Sequence, residues 1–137
     1  MRIHFVAALY VLYLSRFFDF SGSQYILLII LISAVIAAEL FNTAIEAAVD
    51  LVSPQYSKHG KIAKDAAAGA VLVLAAGAAV AGIVMFWDAA GFVRFYNYHT
   101  NNILYAILFI VSVAAALVFI FAPTIREKDK SGEKKEK

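Results

Sequence analysis

The sequence predicts an all-α integral-membrane helical bundle, on three observations. Hydrophobic residues make up 63% of the 137, only 16% are charged, and the mean hydropathy is +0.78. The apolar residues gather into four runs separated by short polar stretches. Charge is concentrated at one end, where twelve of the fourteen residues from Thr124 to Lys137 are polar or charged. A soluble domain of this size needs more polar surface than that, so the bilayer is the solvent that fits.

A membrane helix needs roughly 20 mostly apolar residues. The first run, about Ile3 to Phe18, is short. No small-residue cleavage site leading into a soluble domain follows it, so it is expected to be retained as a span. The second extends from Tyr25 to about Asp50, the third from about Ala63 to Trp87, and the fourth from about Ile103 to Ala122. The connections are Asp19 to Gln24, Leu51 to Ile62 and Asp88 to Asn102. Pro54 and Gly60 interrupt the helical period in the middle one. Pro123 stops the last span, and the Lys/Glu-rich residues after it are expected to be disordered.

Placing the N-terminus in the cytoplasm puts ten of the twelve basic residues inside and leaves only Arg16 and Arg94 outside. That satisfies the positive-inside bias. The N-terminus, the 51–62 connection and the C-terminal tail are then cytoplasmic, in a multi-pass plasma-membrane protein. Alanine and glycine fill the third span at 66–70 and 75–79. Small residues let helices approach closely in lipid, within one chain or between subunits.

Cysteine is absent, which excludes disulfides, thiolate metal sites and a thiol nucleophile. There is no Gly-Lys-Ser/Thr phosphate loop, no GxGxxG and no HExxH. His4, His59 and His99 are scattered and are expected to be surface or interface residues. Phe92, Phe95, Tyr96 and Tyr98, near Trp87, are expected to form an interfacial aromatic belt.

The chemistry sits at the end of the second span. Offsets of 0, 3, 7 and 11 fall within about 80° on a helix, so Glu39, Asn42, Glu46 and Asp50 form one polar stripe about 16 Å long. Acidic residues at the hydrocarbon boundary are costly and mark functional sites. Helix-to-helix hydrogen bonding would account for one such residue, but poorly for four in line. Hard oxygen ligands suit Mg²⁺. Lys64, at the start of the next helix, is placed to neutralise phosphate oxygens. From the residues alone, a kinase site is one candidate among several. A small proton- or cation-coupled transporter is another, because a Glu at depth can alternate between proton and substrate. Against that, nothing polar lines the outer half of any span.

The pattern Glu39-x-x-Asn42-Thr-Ala-Ile-Glu46-x-x-Val-Asp50, followed across the middle connection by Ala63-Lys64-Asp65, resembles the prokaryotic diacylglycerol kinase and undecaprenol kinase family. The resemblance covers roughly His4 to Val84. It implies a three-span kinase core at 1–88, followed by an extra loop and fourth span at 89–122 and a charged tail at 123–137. It implies ATP-dependent phosphorylation of a membrane lipid hydroxyl, with undecaprenol favoured over diacylglycerol, by a homotrimer that takes no nucleic-acid partner.

Glu39 would then be the general base, Asn42 would orient base and substrate, and Glu46 would bind Mg²⁺. Lys64 and Asp65 would contact ATP, bordered by Gln55, Tyr56 and Ser57. The family's N-terminal surface helix, with its acidic metal ligand, is expected to be missing from a chain that opens at Met1-Arg2-Ile3-His4. A truncated start, compensation by a carboxylate such as Asp50, and a catalytically degenerate homologue are the readings of that departure.

Overall fold

A computed structural model describes residues 2–53 and 55–133, the last twelve of these as backbone only. It contains five helices: α1 (Arg2–Ser15), α2 (Gly22–Val52), α3 (Lys58–Met85), α4 (Ala89–Thr100) and α5 (Ile103–Glu133). Among the described residues there is no strand, so the expected all-α architecture holds. Three helices are long and apolar enough to cross a membrane: α2, α3 and the 103–121 stretch of α5.

Two expectations change. The first run is a helix of only 14 residues, about 21 Å long, short of the ~30 Å hydrocarbon core. The 88–102 connection, expected to be an irregular loop, is mostly helix. Asp88 caps α4 by accepting from the Ala90 N–H at 3.0 Å, and the segment keeps its helical hydrogen bonds up to Asn101. The charged tail expected beyond Pro123 falls on residues whose side chains lie outside the described set.

Local chemistry starts the two long helices. Ser21 and Gln24 form a capping box at α2: the Ser21 N–H donates to Gln24 Oε1 at 2.8 Å, and Ser21 Oγ accepts from the Gln24 N–H. Ser57 caps α3 by accepting from the Gly60 N–H at 3.3 Å. The two helices run antiparallel as the most extensive packed pair in the fold. They approach closely at Gly60, where a Cβ would collide with Val49.

Helix α1 lies antiparallel to both α2 and α5. Its start meets Glu39 and Phe119, and its end meets Tyr25 and Phe109. Few side chains are buried, chiefly Phe18, Leu28, Val35 and the small residues Ala8 and Ala67. Ile26, Ile29, Ile30, Leu72 and Val73 point outward, as expected where lipid replaces water.

The bundle has two chemically different ends. At one, Phe18 packs edge-on against Phe86 and Phe92, and Phe20 against Tyr25 and Phe86. Arg94 ties that end together. Its Nε donates to the Phe17 carbonyl at 2.7 Å and its guanidinium lies 3.0 Å from Asp19 and 3.5 Å from Asp88. Aromatic rings of this kind favour a membrane interface. Glu39 lies 18 residues beyond Ser21, about 27 Å along the axis, which brings it to the opposite boundary. The rest of α2 and the start of α3 project past it.

Candidate active site at the α2–α3 end

The polar stripe survives intact on α2. Asn42 Nδ2 donates to Glu46 Oε1 at 2.8 Å, bridging adjacent turns of the helix. Asn42 Oδ1 is buried and has no hydrogen-bond partner among the described residues. The amide thus turns its nitrogen to the exposed Glu46 carboxylate, which is the accessible hard oxygen donor of the two side chains. Glu39 is mostly covered, with 16% of its side chain accessible. Asp50 lies furthest out and is 68% accessible.

Residues from two other helices meet this stripe. Lys64 Nζ of α3 donates to Asp50 Oδ1 at 2.5 Å, so the antiparallel hairpin brings the lysine to the outer end of the stripe. His4 Nδ1 of α1 lies 2.6 Å from Glu39 Oε1, an ion-pair distance when the ring is protonated. Arg2, His4, Phe5, Ile36, Glu39 and Phe119 line a hollow of about 220 Å³ there.

The remaining expected site residues sit on the connecting turn and the first turns of α3. Gln55 and Tyr56 are exposed, Ser57 is spent on the helix cap, and Asp65 is exposed one residue past Lys64. The structure therefore brings Lys64 to Asp50 and gathers Glu39, Asn42 and Glu46 along one helix. No hydrogen bond or ion pair joins Gln55, Tyr56 or Asp65 to the stripe among the described residues.

Sequence reasoning missed two histidines. His4 is a neighbour of Glu39, and no local pattern could show a contact between residues 35 positions apart. His99 is buried, not superficial. It sits among Tyr13, Phe17, Phe95 and Phe109, its Nδ1 2.8 Å from the Phe95 carbonyl and its Nε2 3.0 Å from the Tyr13 hydroxyl.

Among the described residues no three His, Asp or Glu side chains converge as a metal cluster. The stripe contributes the exposed Glu46 carboxylate. A single carboxylate suits Mg²⁺, which takes few protein ligands and shares the rest of its shell with water and phosphate.

Residues 1–86 match the family described as prokaryotic diacylglycerol kinase. The chain belongs to that family. This makes it a lipid kinase and a membrane protein, and the matched region ends just after α3.

Among curated relatives of the diacylglycerol kinase family, it is similar to an undecaprenol kinase of Bacillus subtilis, 38% identical over 85 residues. That alignment covers 62% of this chain and 69% of the relative. A diacylglycerol kinase of Synechocystis is 53% identical over 49 residues, covering 35% of this chain and 28% of that one. A diacylglycerol kinase of Sinorhizobium is 45% identical over 65 residues, covering 46% and 47%. The chain thus spans about two thirds of the first relative and less than half of the other two. No solved structure matches it significantly. Helices α4 and α5 lie outside the family match.

Proposed function

We propose that this protein transfers the γ-phosphoryl group of ATP to the hydroxyl of a membrane lipid at the cytoplasmic surface, with undecaprenol the favoured acceptor and diacylglycerol next. The observation that carries this reading is the carboxylate stripe of α2. It begins at the membrane boundary at Glu39, runs outward through Asn42 and Glu46, and meets Lys64 at Asp50. The alignment with the undecaprenol kinase, the longest of the three, supports the order of acceptors.

In this reaction Glu39 takes the proton from the lipid hydroxyl as its oxygen attacks the γ-phosphorus. The new P–O bond forms while the bond to the β–γ bridging oxygen breaks, and ADP leaves. His4 holds the Glu39 carboxylate toward the hollow. Asn42 orients the stripe by its bond to Glu46. Lys64 leaves Asp50 to neutralise phosphate oxygens, with Asp65 and the turn residues Gln55, Tyr56 and Ser57 beside the nucleotide. Glu46 would hold Mg²⁺, which when bound offsets the charge of the triphosphate.

The core of residues 1–88 is proposed to act as a homotrimer. Gly69 and Gly77 support this, because both face open space on α3, where a neighbouring helix could approach closely. The 89–122 segment and the tail after it are proposed as an appended unit outside that core.

The test is Mg²⁺-dependent transfer of labelled phosphate from ATP to undecaprenol and, separately, to diacylglycerol, by the full chain in mild detergent. Transfer that favours undecaprenol supports the reading, and a preference for diacylglycerol reverses the order of acceptors. ATP binding without transfer to either would mark a degenerate kinase.

A further inference from the structure

The α5 helix lies outside the family match, yet it walls a groove that leads from the site. Between α1 and α5 runs an apolar groove of about 640 Å³, lined by Phe5, Tyr13, Leu108, Ser112, Ala116 and Phe119 among others. It shares Phe5 and Phe119 with the small hollow that contains Glu39, so the two adjoin at those side chains. From Phe5 to Tyr13 the groove follows α1 for about 12 Å, away from Glu39 and toward the aromatic end. The two helices are pinned at intervals rather than closely packed. Arg2 donates to the Phe119 carbonyl and lies over the Phe119 ring, Tyr10 and Ser112 share a hydrogen bond at 3.1 Å, and the Tyr13 ring stacks on Phe109.

We infer that this groove holds the hydrocarbon chain of the lipid acceptor, with α5 as a specificity-determining wall. The inference rests on the reading of Glu39 as the base. An acceptor whose hydroxyl sits at Glu39 has its chain directed into the bilayer, and the groove starts beside the Glu39 hollow, at Phe5 and Phe119, and runs in that direction. A second cavity of about 600 Å³ lies between α1, α2 and α3 and also meets the Glu39 hollow, at His4 and Ile36. It is lined on α3 by Ala75, Ala78, Ala79 and Gly82, the small side chains that suit helix packing. Bilayer hydrocarbon is as apolar as the groove, so burial alone gives no preference for it. Selectivity comes from shape and dispersion contact along a chain long enough to fill it, and the benefit to catalysis is a hydroxyl held in place.

The experiment is photo-crosslinking of the full chain in nanodiscs with a long polyprenyl alcohol carrying a diazirine in its tail, and mapping of labelled residues by mass spectrometry. Labelling of the α1–α5 groove around Ser112 and Ala116, competed by excess undecaprenol and much less by the short alcohol farnesol, is the expected result. Labelling that undecaprenol does not compete, that falls equally on the outward-facing Ile110, or that is competed only at Ala75 and Ala78 overturns the inference.

Ala116→Phe fills the groove. In the kinase assay it should raise KM for undecaprenol at least five-fold while leaving KM for farnesol within two-fold, and Ile110→Phe should change neither. An unchanged undecaprenol KM in Ala116→Phe also overturns the inference. The two readings fail separately. Competed labelling in the groove together with full turnover in Glu39→Gln would sink Glu39 as base and leave the groove standing.

Discussion

His4 and Glu39 meet across the α1–α2 interface, with Nδ1 2.6 Å from Oε1, although 35 residues separate them in the chain. A carboxylate that must take a proton at a membrane boundary needs a fixed orientation, and the imidazole on the neighbouring helix contributes to it. Replacing His4 with Ala should lower kcat about ten-fold and leave KM for ATP within two-fold. His4→Gln, which keeps a donor at similar reach, should recover part of the loss. Equal losses in both variants, or a rise in KM for ATP with unchanged kcat, would show that His4 does not act through Glu39.

Lys64 and Asp50 form an exposed pair, with 35% and 68% of their side chains accessible. Such pairs are worth about 0–1 kcal/mol, so neither residue is needed to hold the hairpin. Lys64→Ala should therefore change thermal stability little and raise KM for ATP about ten-fold. Asp50→Asn should leave both nearly unchanged. A drop of many degrees in Lys64→Ala with normal nucleotide kinetics would make the pair structural.

Gly91 sits against the Phe18 ring, where any Cβ would overlap it. Gly91→Leu forces either the ring or α4 to move, at about 1–3 kcal/mol for overpacking of this kind. The melting temperature of the variant in detergent should fall, and Phe18→Ala in the same chain should recover part of the loss. Additive losses in the double variant would place the strain elsewhere.

The absence of cysteine makes topology directly measurable. Tyr56→Cys, on the α2–α3 turn, should react with an impermeant maleimide only after cells are opened. Tyr96→Cys, on α4, should react in intact cells. The reverse pattern would invert the orientation and remove the stripe from cytoplasmic ATP.

What the sequence made legible follows from the range of the interactions involved. The stripe on α2 could be read because Glu39, Asn42, Glu46 and Asp50 recur with the period of one helix. The α2–α3 hairpin could be read because apolar length and a Pro/Gly-marked turn are local signals. Helix α4 could not, since Phe92-Val-Arg-Phe-Tyr-Asn-Tyr-His99 mixes aromatic and polar residues without the apolar length of a span. Its helix is set by the Asp88 cap and by docking through Arg94 and Gly91. His4 and His99 were misjudged for the same reason, because their partners lie on helices distant in the chain. The shortness of α1 shows how weakly an apolar run marks its own end. Its helix stops at Ser15, whose hydroxyl turns back to the Leu12 carbonyl, and the apolar Phe17 and Phe18 that follow lie in the turn.

The most direct test of the central claim is the turnover of Glu39→Gln with ATP, Mg²⁺ and undecaprenol in the same detergent as the parent. If Glu39 is the base, kcat falls at least a hundred-fold while the KM values for ATP and lipid stay within a few-fold, because the amide keeps the shape and loses only the proton acceptor. Turnover within a few-fold of the parent would contradict the assignment and leave the stripe without its catalytic group.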